Sequence, residues 1–182
     1  MQKNRQMIKK ITTAAMVIAI SIVISTICKN YLNLGNGVFR ITFENLAIIM
    51  AGILYGPLTG AMVGLATDIV SYFMSAQAIP IMPLVTLGAA MVGFVSGFIA
   101  KYIIREKGTK QIVFSGVFAH LIGSMIIKTI GLYPIYSALV FVRIPIYIVI
   151  ASVEIFLLCQ LFKRKSFTRV VGYTKEEGKN KK

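Results

Sequence analysis

Six ionisable side chains lie inside long apolar stretches of this sequence, and they are the residues whose chemistry most needs an explanation. They are Glu44, Asp68, His120, Lys128, Arg143 and Glu154. A charged side chain at the centre of a bilayer costs roughly 2.5–3.5 kcal/mol even on insertion scales. These residues therefore need partners, and the partners are either one another or a charged or polar solute that the protein binds.

His120, Ser124 and Lys128 recur at intervals of four residues, so a helix carries all three on one face. We predict that this face runs from the outer rim of the protein, at Lys128, to the middle of the membrane, at His120. The alternative for His120 is a buried histidine whose hydrogen bonds are satisfied within the protein. Glu154 is placed in the inner half, and the pattern offers it no partner.

Arg40 and Glu44 also lie four residues apart, which predicts one turn at the outer end of a second helix. Asp68 is expected in the outer half of a third helix. With Lys128 and Arg143, these residues place three cations and two carboxylates in the outer half, which indicates a cup that opens outwards. Structural ion pairs are the alternative: Arg40 with Glu44, and Asp68 with Lys128 or Arg143.

The composition identifies the elements that must position these residues. Of the 182 residues, 57% are hydrophobic and 14% are charged, and the mean hydropathy is +0.78. Soluble domains carry about 25% charged residues, so an ordinary soluble domain and a disordered chain are both excluded. The net charge of +14 lies at the ends and in short gaps between apolar runs. This pattern argues against a nucleic-acid partner and predicts an integral membrane protein that crosses the bilayer several times.

Six apolar runs approach the length needed to cross a hydrocarbon core about 30 Å thick. We predict an all-α bundle of six transmembrane helices over residues 11–28, 41–55, 58–74, 83–104, 111–130 and 138–162. The chain then divides into a basic cytoplasmic N-terminus (1–10), a six-helix substrate-binding domain (11–163) and a basic, disordered cytoplasmic tail (164–182).

The distribution of Lys and Arg predicts the orientation, because cytoplasmic segments carry an excess of these residues. With the N-terminus inside, 16 of the 20 fall on the cytoplasmic side, and the four outside are Lys29, Arg40, Lys128 and Arg143. Both termini are therefore predicted to be cytoplasmic, and the basic segments are expected to attract anionic lipid.

The predicted outer connections are elaborate and the inner ones short, which is typical of a protein that captures a solute from outside. The first outer connection reads KNYLNLGNGVFR, and a loop of this length in a compact chain is usually functional. Tyr31, Phe39 and Phe43 supply aromatic surfaces around it. A second outer connection, SAQAIPIMP, contains Gln77.

Other classes of protein fit less well. The sequence has no G-x-S-x-G motif, no P-loop and no cluster of metal-ligating residues. We therefore expect no enzymatic activity, no cofactor and no metal. A stand-alone small secondary transporter is a weaker alternative, because such a protein would need repeated halves or dimerisation.

Small residues recur at the spacing that lets helices approach closely. The motifs are Ala15-x-x-x-Ala19, Gly60-x-x-x-Gly64 and Gly93-x-x-x-Gly97. Packing inside the bundle is the simpler interpretation of each motif, and docking of a partner protein is the alternative.

Two segments resemble the S components of energy-coupling factor (ECF) transporters, and the folate-type group in particular: FRITFENLAIIMAGILYGPLTGAMVGLATDIVSYF and PIMPLVTLGAAMVGFVSGF. The spacing G-P-L-x-G-x-x-x-G-x-x-x-D, from Gly56 to Asp68, carries most of the resemblance, which covers about residues 11–162. The loop SAQAIPIMP departs from the Gly/Pro/Phe-rich loop of the folate type. The resemblance therefore specifies the family better than the vitamin.

The resemblance implies a six-helix subunit that binds one vitamin from outside. Such a subunit docks on a membrane T component driven by two cytoplasmic ATPases, and it topples in the membrane to release its substrate. It also implies that Ala15 and Ala19 on helix 1 form the surface that meets the T component.

A folate-like anion fits the residues of the cup. The amino group and ring N–H of a pterin suit a carboxylate such as Glu44 or Asp68, and the carboxylates of the glutamate tail suit cations. Another vitamin, or a pterin- or guanine-like compound such as a queuosine precursor, is the alternative. The predicted substrate site comprises Tyr31, Arg40, Phe43, Glu44, Asp68, Gln77, His120, Ser124, Lys128 and Arg143.

Overall fold

The chain forms a helical bundle in the part that the computed structural model describes, namely residues 2–31, 33–34, 39–40, 43–75, 82–137, 143–165, 167–168 and 173. The helices are α1 (Gln2–Tyr31), α2 (Glu44–Tyr55), α3 (Pro57–Met74), α4 (Pro83–Phe98), α5 (Thr109–Ala119), α6 (Lys128–Tyr136) and α7 (Arg143–Lys163). Two strands of two residues each, β1 (Asn33–Leu34) and β2 (Phe39–Arg40), pair antiparallel between α1 and α2.

Two π-helical segments extend these helices. Ile99–Ile103 continues α4, and His120–Ile127 joins α5 to α6. The described chain therefore contains six helical rods, because Thr109–Tyr136 runs as one. Their positions agree with the six predicted runs, although α1 and the fifth rod extend several residues beyond them.

Four of these rods are long and apolar enough to cross a membrane: Ile11–Tyr31, Pro83–Ile103, Thr109–Pro134 and Ile144–Lys163. The other two rods, α2 and α3, are not among these candidate spans. α2 is apolar but has only 12 residues, and α3 has 18 residues. The predicted all-helical membrane bundle is confirmed. The count of six spans and their orientation remain predictions.

The turn between α2 and α3 depends on two residues. Gly56 adopts φ 96°, a left-handed backbone conformation that favours glycine. Pro57 follows at the first position of α3, where its missing N–H costs least. The chain therefore reverses direction without a loop, and α2 and α3 form an antiparallel pair.

Glycines set the contact between α3 and α4. A Cβ added to Gly93 would overlap the carbonyl oxygen of Gly60, and a Cβ added to Gly64 would overlap the carbonyl oxygen of Ala89. The motifs that begin at Gly60 and Gly93 thus serve packing inside the bundle. Close backbone approach of this kind supplies the van der Waals contact that holds helices together in lipid.

Ala15 and Ala19 lie on a different kind of surface. Both are exposed on α1, whereas Val17, Ser21 and Ser25 of the same helix are buried. Within the described chain, the motif on α1 therefore faces outwards.

Part of the predicted tail packs on the end of the bundle that contains residues 104–108. Tyr173 is buried, its ring lies 4.7 Å from that of Phe162, and Phe162 also contacts Phe167. The rest of the predicted disordered tail includes residues 169–172 and 174–182, which lie outside the described residues.

Gly93→Ala should lower the free energy of unfolding by about 1–3 kcal/mol, the usual cost of overpacking a close contact. The measurement is thermal unfolding of the purified protein in detergent. Gly108→Ala is the matched control, because a Cβ at Gly108 meets no atom within 4 Å. Loss of this glycine N-cap costs less than about 1 kcal/mol. Equal melting temperatures for the two variants would contradict the packing described here.

Candidate functional site

A group of polar and charged side chains, all buried except the half-buried Thr86, lies in the middle of the bundle, and we call it the interior polar cluster. It consists of Ser25, Lys29, Glu44, Asn45, Asp68, Ser71, Thr86, His120, Ser124, Lys128 and Glu154. Each of the six helical rods contributes to it, and the rod Thr109–Tyr136 does so through the His120–Ile127 segment and α6.

The first ion pair of the cluster joins Lys128 to Glu44. The Lys128 Nζ atom lies 3.1 Å from Glu44 Oε1 and also donates to Asn45 Oδ1 at 3.3 Å. The second oxygen of Glu44 accepts a hydrogen bond from the Ser25 hydroxyl. Side chains of both ionic partners are about 5% exposed, so each charge depends on the other for compensation.

The second ion pair joins Lys29 to Asp68. The Lys29 Nζ atom lies 3.1 Å from Asp68 Oδ1 and donates to Ser71 Oγ at 2.6 Å. The other oxygen of Asp68 accepts a hydrogen bond from the Thr86 hydroxyl at 2.7 Å. The pair and its hydrogen bonds add polar contacts between α1, α3 and α4.

The third pair joins His120 to Glu154. His120 Nε2 and Glu154 Oε2 are 2.9 Å apart, although the two atoms are not aligned as a hydrogen bond. The other oxygen of Glu154 accepts from the backbone N–H of Leu46 at 3.3 Å. Phe43, the N-cap residue of α2, provides no side-chain cap. Glu154 of α7 therefore caps α2, at the end where the helix dipole favours negative charge.

The predicted helical turn from Arg40 to Glu44 is wrong, and so is the predicted pairing of Asp68 with Lys128. Arg40 and Glu44 do not share a helix face, because Arg40 lies in β2 opposite Asn33 and α2 begins only at Glu44. Among the described side chains, Asp68 pairs with Lys29 and not with Lys128. The reason is that α1 continues to Tyr31, three residues past its predicted end, and so brings Lys29 into the bundle. The side chain of Arg143 lies outside the described part of the structure, so its pairing with Asp68 stays a prediction.

The expectation that Glu154 has no partner is also wrong. It lies level with the first turn of α2 and close to His120. α2 rises only about 18 Å over its 12 residues, so its N-terminus is reached well inside the bundle. Glu44, predicted at the outer end of a spanning helix, is likewise buried at 4% exposure.

The remaining predicted site residues fall into three groups. His120, Ser124 and Lys128 all lie inside the bundle. Phe43 is half-buried, and Tyr31 is exposed at the end of α1. For the other three, Arg40 lies in β2, Arg143 begins α7, and Gln77 lies outside the described residues.

Lys29 and its neighbours are functional candidates that sequence reasoning missed. Ser21, Ser25 and Lys29 recur every four residues on α1, and all three are buried. A polar stripe at helical spacing on an otherwise apolar helix is a detectable signal of an interior face. The signal was hidden because Lys29 follows an apolar run and resembles the basic residue that ends a span.

The cluster retains hydrogen-bonding capacity. Within the described chain, Asn45 Nδ2, His120 Nδ1 and Ser124 Oγ are buried and lack a hydrogen-bond partner. Buried polar atoms in native proteins are nearly always satisfied by protein, water or ligand. Together with the paired charges, these atoms can orient a polar heterocycle.

The fold and the cluster define a helical membrane protein with a polar interior. Residues 9–174 match the family described as "ECF transporter, substrate-specific component". The match covers most of the chain, so this protein belongs to that family. The resemblance inferred from the sequence is therefore confirmed at the level of the family, which is one of transporter subunits that bind substrate.

A solved structure gives a second comparison. The fold is similar to that described as "Crystal structure of FolT bound with folic acid", with a TM-score of 0.63 and 17% sequence identity. The alignment covers 85% of this chain and 96% of that one. Similarity at this identity concerns the fold. No individually curated protein matches the chain.

Lys128→Met should lower the free energy of unfolding by about 3–5 kcal/mol, because it leaves Glu44 charged and unpaired in the interior. Adding Glu44→Gln to the same protein should recover most of that loss. Thermal unfolding in detergent without ligand, arranged as a double-mutant cycle, measures both effects. Lys110→Met, at an exposed lysine, is the control and should change stability by less than about 0.5 kcal/mol. Simple additivity of the two single effects would contradict the ion pair.

Proposed function

We propose that this protein is the vitamin-binding S component of an ECF-type importer, and that its substrate is a folate-like anion captured from outside the cell. The observation that carries this proposal is the interior polar cluster. It holds paired charges and unpartnered polar atoms inside a bundle of the S-component family. The similarity to a FolT structure described as bound with folic acid supports folate as the first ligand to test.

The ion pairs indicate which residues to assign to each part of the ligand. Glu44 and Asp68 are already compensated by lysines, so they keep the empty site close to electrical neutrality. Arg40 and Arg143 are the cations that we assign to the carboxylates of the glutamate tail, since planar guanidinium groups bind carboxylates through two hydrogen bonds. We assign the pterin edge to the unpartnered atoms of the cluster, including the Ser124 hydroxyl.

The remaining predicted contacts complete this assignment. Tyr31, Phe43 and Gln77 lie in or beside the predicted outer connections, and we assign them to the walls around the flat middle of the ligand. His120 is held against Glu154, and we assign it to the floor of the site. The site needs no metal or cofactor for binding alone.

A neutral pterin- or guanine-like compound, such as a queuosine precursor, is the second candidate. The described cluster contains two lysines and three carboxylates, and this balance suits a base that carries no net charge. Mass spectrometry of the small molecule that co-purifies with the protein distinguishes the two candidates. A stand-alone secondary transporter ranks below both, because the chain belongs to a family of substrate-specific components.

We infer that the protein works in the bacterial cell membrane with both termini in the cytoplasm. Its partners in this proposal are a T component and two ATPase subunits. Ala15 and Ala19 are the docking surface that we assign to the T component, and their exposure on α1 supports this assignment. Labelling of single cysteines introduced at positions 33 and 179 with an impermeant reagent tests the orientation, and only position 33 should react from outside.

Arg40→Ala and Arg143→Ala should each weaken folate binding by about 1.5–3 kcal/mol, the usual value of a charge-assisted hydrogen bond. Titration calorimetry is the suitable measurement, because the chain contains no tryptophan to report binding by its fluorescence. Arg105→Ala, at an exposed arginine of the opposite end, is the matched control. Wild-type affinity in both test variants would reject their role in anion binding.

Ala15→Trp combined with Ala19→Trp should abolish uptake in cells that contain the T component and ATPases, because bulky side chains prevent close helix approach. The purified variant should still bind ligand with near wild-type affinity, since both positions are exposed. Met16→Trp with Ile20→Trp, at two exposed positions of the adjacent stripe on α1, is the matched control. Normal uptake in the first variant would reject docking through this surface, as would an equal loss of uptake in the control.

A further inference from the structure

A second polar region lies at the opposite end of α2 from the interior polar cluster. Tyr55, the last residue of α2, is eleven residues from Glu44, or about 17 Å along the helix. Beside it is a cavity of about 360 Å³, and its polar lining consists of Tyr55, Lys101, Arg105, Lys107, Gln111 and Tyr173. The substrate site described above uses none of these residues.

Hydrogen bonds hold one wall of this cavity in place. Gln111 Nε2 donates to the backbone oxygens of Ala100 and Ile104, each at 2.8 Å. Gln111 Oε1 accepts from the Tyr173 hydroxyl at 2.7 Å, and the Tyr173 ring packs on Phe162. Burial raises the pKa of the Tyr173 hydroxyl, so this donor stays protonated at neutral pH. The wall is therefore formed before any ligand arrives.

The cavity is rich in cations and hydrogen-bond donors. Within the described chain, no carboxylate forms an ion pair with Lys101, Arg105 or Lys107, although Glu106 lies in the same connection. The hydroxyl of Tyr55 is buried and lacks a hydrogen-bond partner among the described residues. Three cations and an unused hydroxyl donor around one cavity match the charge and acceptor atoms of a phosphate group.

Aromatic side chains lead from this cavity along the exposed face of α4. The rings of Phe94 and Phe98 are stacked with centroids 6.1 Å apart, and those of Phe98 and Tyr102 are 5.1 Å apart. All three side chains are exposed, and Lys101 Nζ lies 5.5 Å from the Tyr102 ring. An apolar track that ends beside a cation suits a molecule with an acyl chain and a charged head.

We propose that this cavity binds the phosphate of an anionic phospholipid, with one acyl chain along Phe94, Phe98 and Tyr102. The lipid would contact α2, α4 and the tail segment at Tyr173 together. Free phosphate shares the same head-group chemistry but has no group to occupy the aromatic track. The two sources therefore respond differently to changes in that track.

Native mass spectrometry of the full chain, titrated with phosphatidylglycerol or with phosphatidylcholine of the same acyl chains, tests the proposal. The wild type should retain phosphatidylglycerol preferentially. Each cation removed should weaken binding about fivefold, so Lys101→Gln, Arg105→Gln and Lys107→Gln together should weaken it about a hundredfold. Tyr55→Phe should weaken binding without lowering the melting temperature, because no hydrogen bond within the described chain is lost.

The matched control removes three positive charges from the start of α1 instead: Lys3→Gln, Arg5→Gln and Lys9→Gln. It should bind phosphatidylglycerol like the wild type, and an equal loss in the two triple variants would overturn the proposal. Phe98→Ala should weaken phosphatidylglycerol binding, because it shortens the aromatic track. If Phe98→Ala leaves phosphatidylglycerol binding unchanged, and inorganic phosphate displaces the lipid, the cavity belongs to the free ion and the lipid is overturned. Retention of an acidic peptide in place of phosphatidylglycerol would also overturn it.

Discussion

α2 begins inside the bundle, at the buried residue Glu44. Much of the polar interior follows from this constraint. A helix of 12 residues rises about 18 Å, against roughly 30 Å for a hydrocarbon core. Glu44 and Asn45 at its start are buried, so the first N–H groups of the helix need acceptors inside the protein. Glu154 supplies one acceptor, and Glu44, the first residue of the helix, becomes an interior anion that requires Lys128. A short helix thus creates both the need for a polar cluster and the place for it.

Close backbone packing and the polar cluster involve different residues of α2, α3 and α4. α2, α3 and α4 approach one another through glycines, and added Cβ atoms at Gly52, Gly60, Gly64 and Gly93 would overlap neighbouring atoms. α1 instead reaches the cluster through Ser25 and Lys29, and α7 reaches it through Glu154. A close-packed block resists deformation, so the outer helices are joined to it at points where polar partners can be exchanged.

Composition and apolar run length were sufficient to predict the helical bundle and the approximate limits of its helices, because a bilayer restricts spanning segments to a narrow range of lengths. The interior pairs were harder to predict. The position of Lys29 depends on where α1 ends, and that of Arg40 depends on where α2 begins. A shift of three or four residues in either helix boundary changes the partner available to the charged residue. The pairing of His120 with Glu154 joins distant parts of the chain, and no spacing rule within one helix indicates it.

The pairing of lysines with carboxylates also has an electrical consequence. A unit charge carried across a membrane potential of 100 mV changes in energy by about 2.3 kcal/mol. Lys29 with Asp68 and Lys128 with Glu44 form two neutral units, and the partners of each unit are about 3.1 Å apart. When such a unit changes depth as a whole, its two contributions nearly cancel. This part of the interior can therefore move with respect to the membrane almost without work against the transmembrane field.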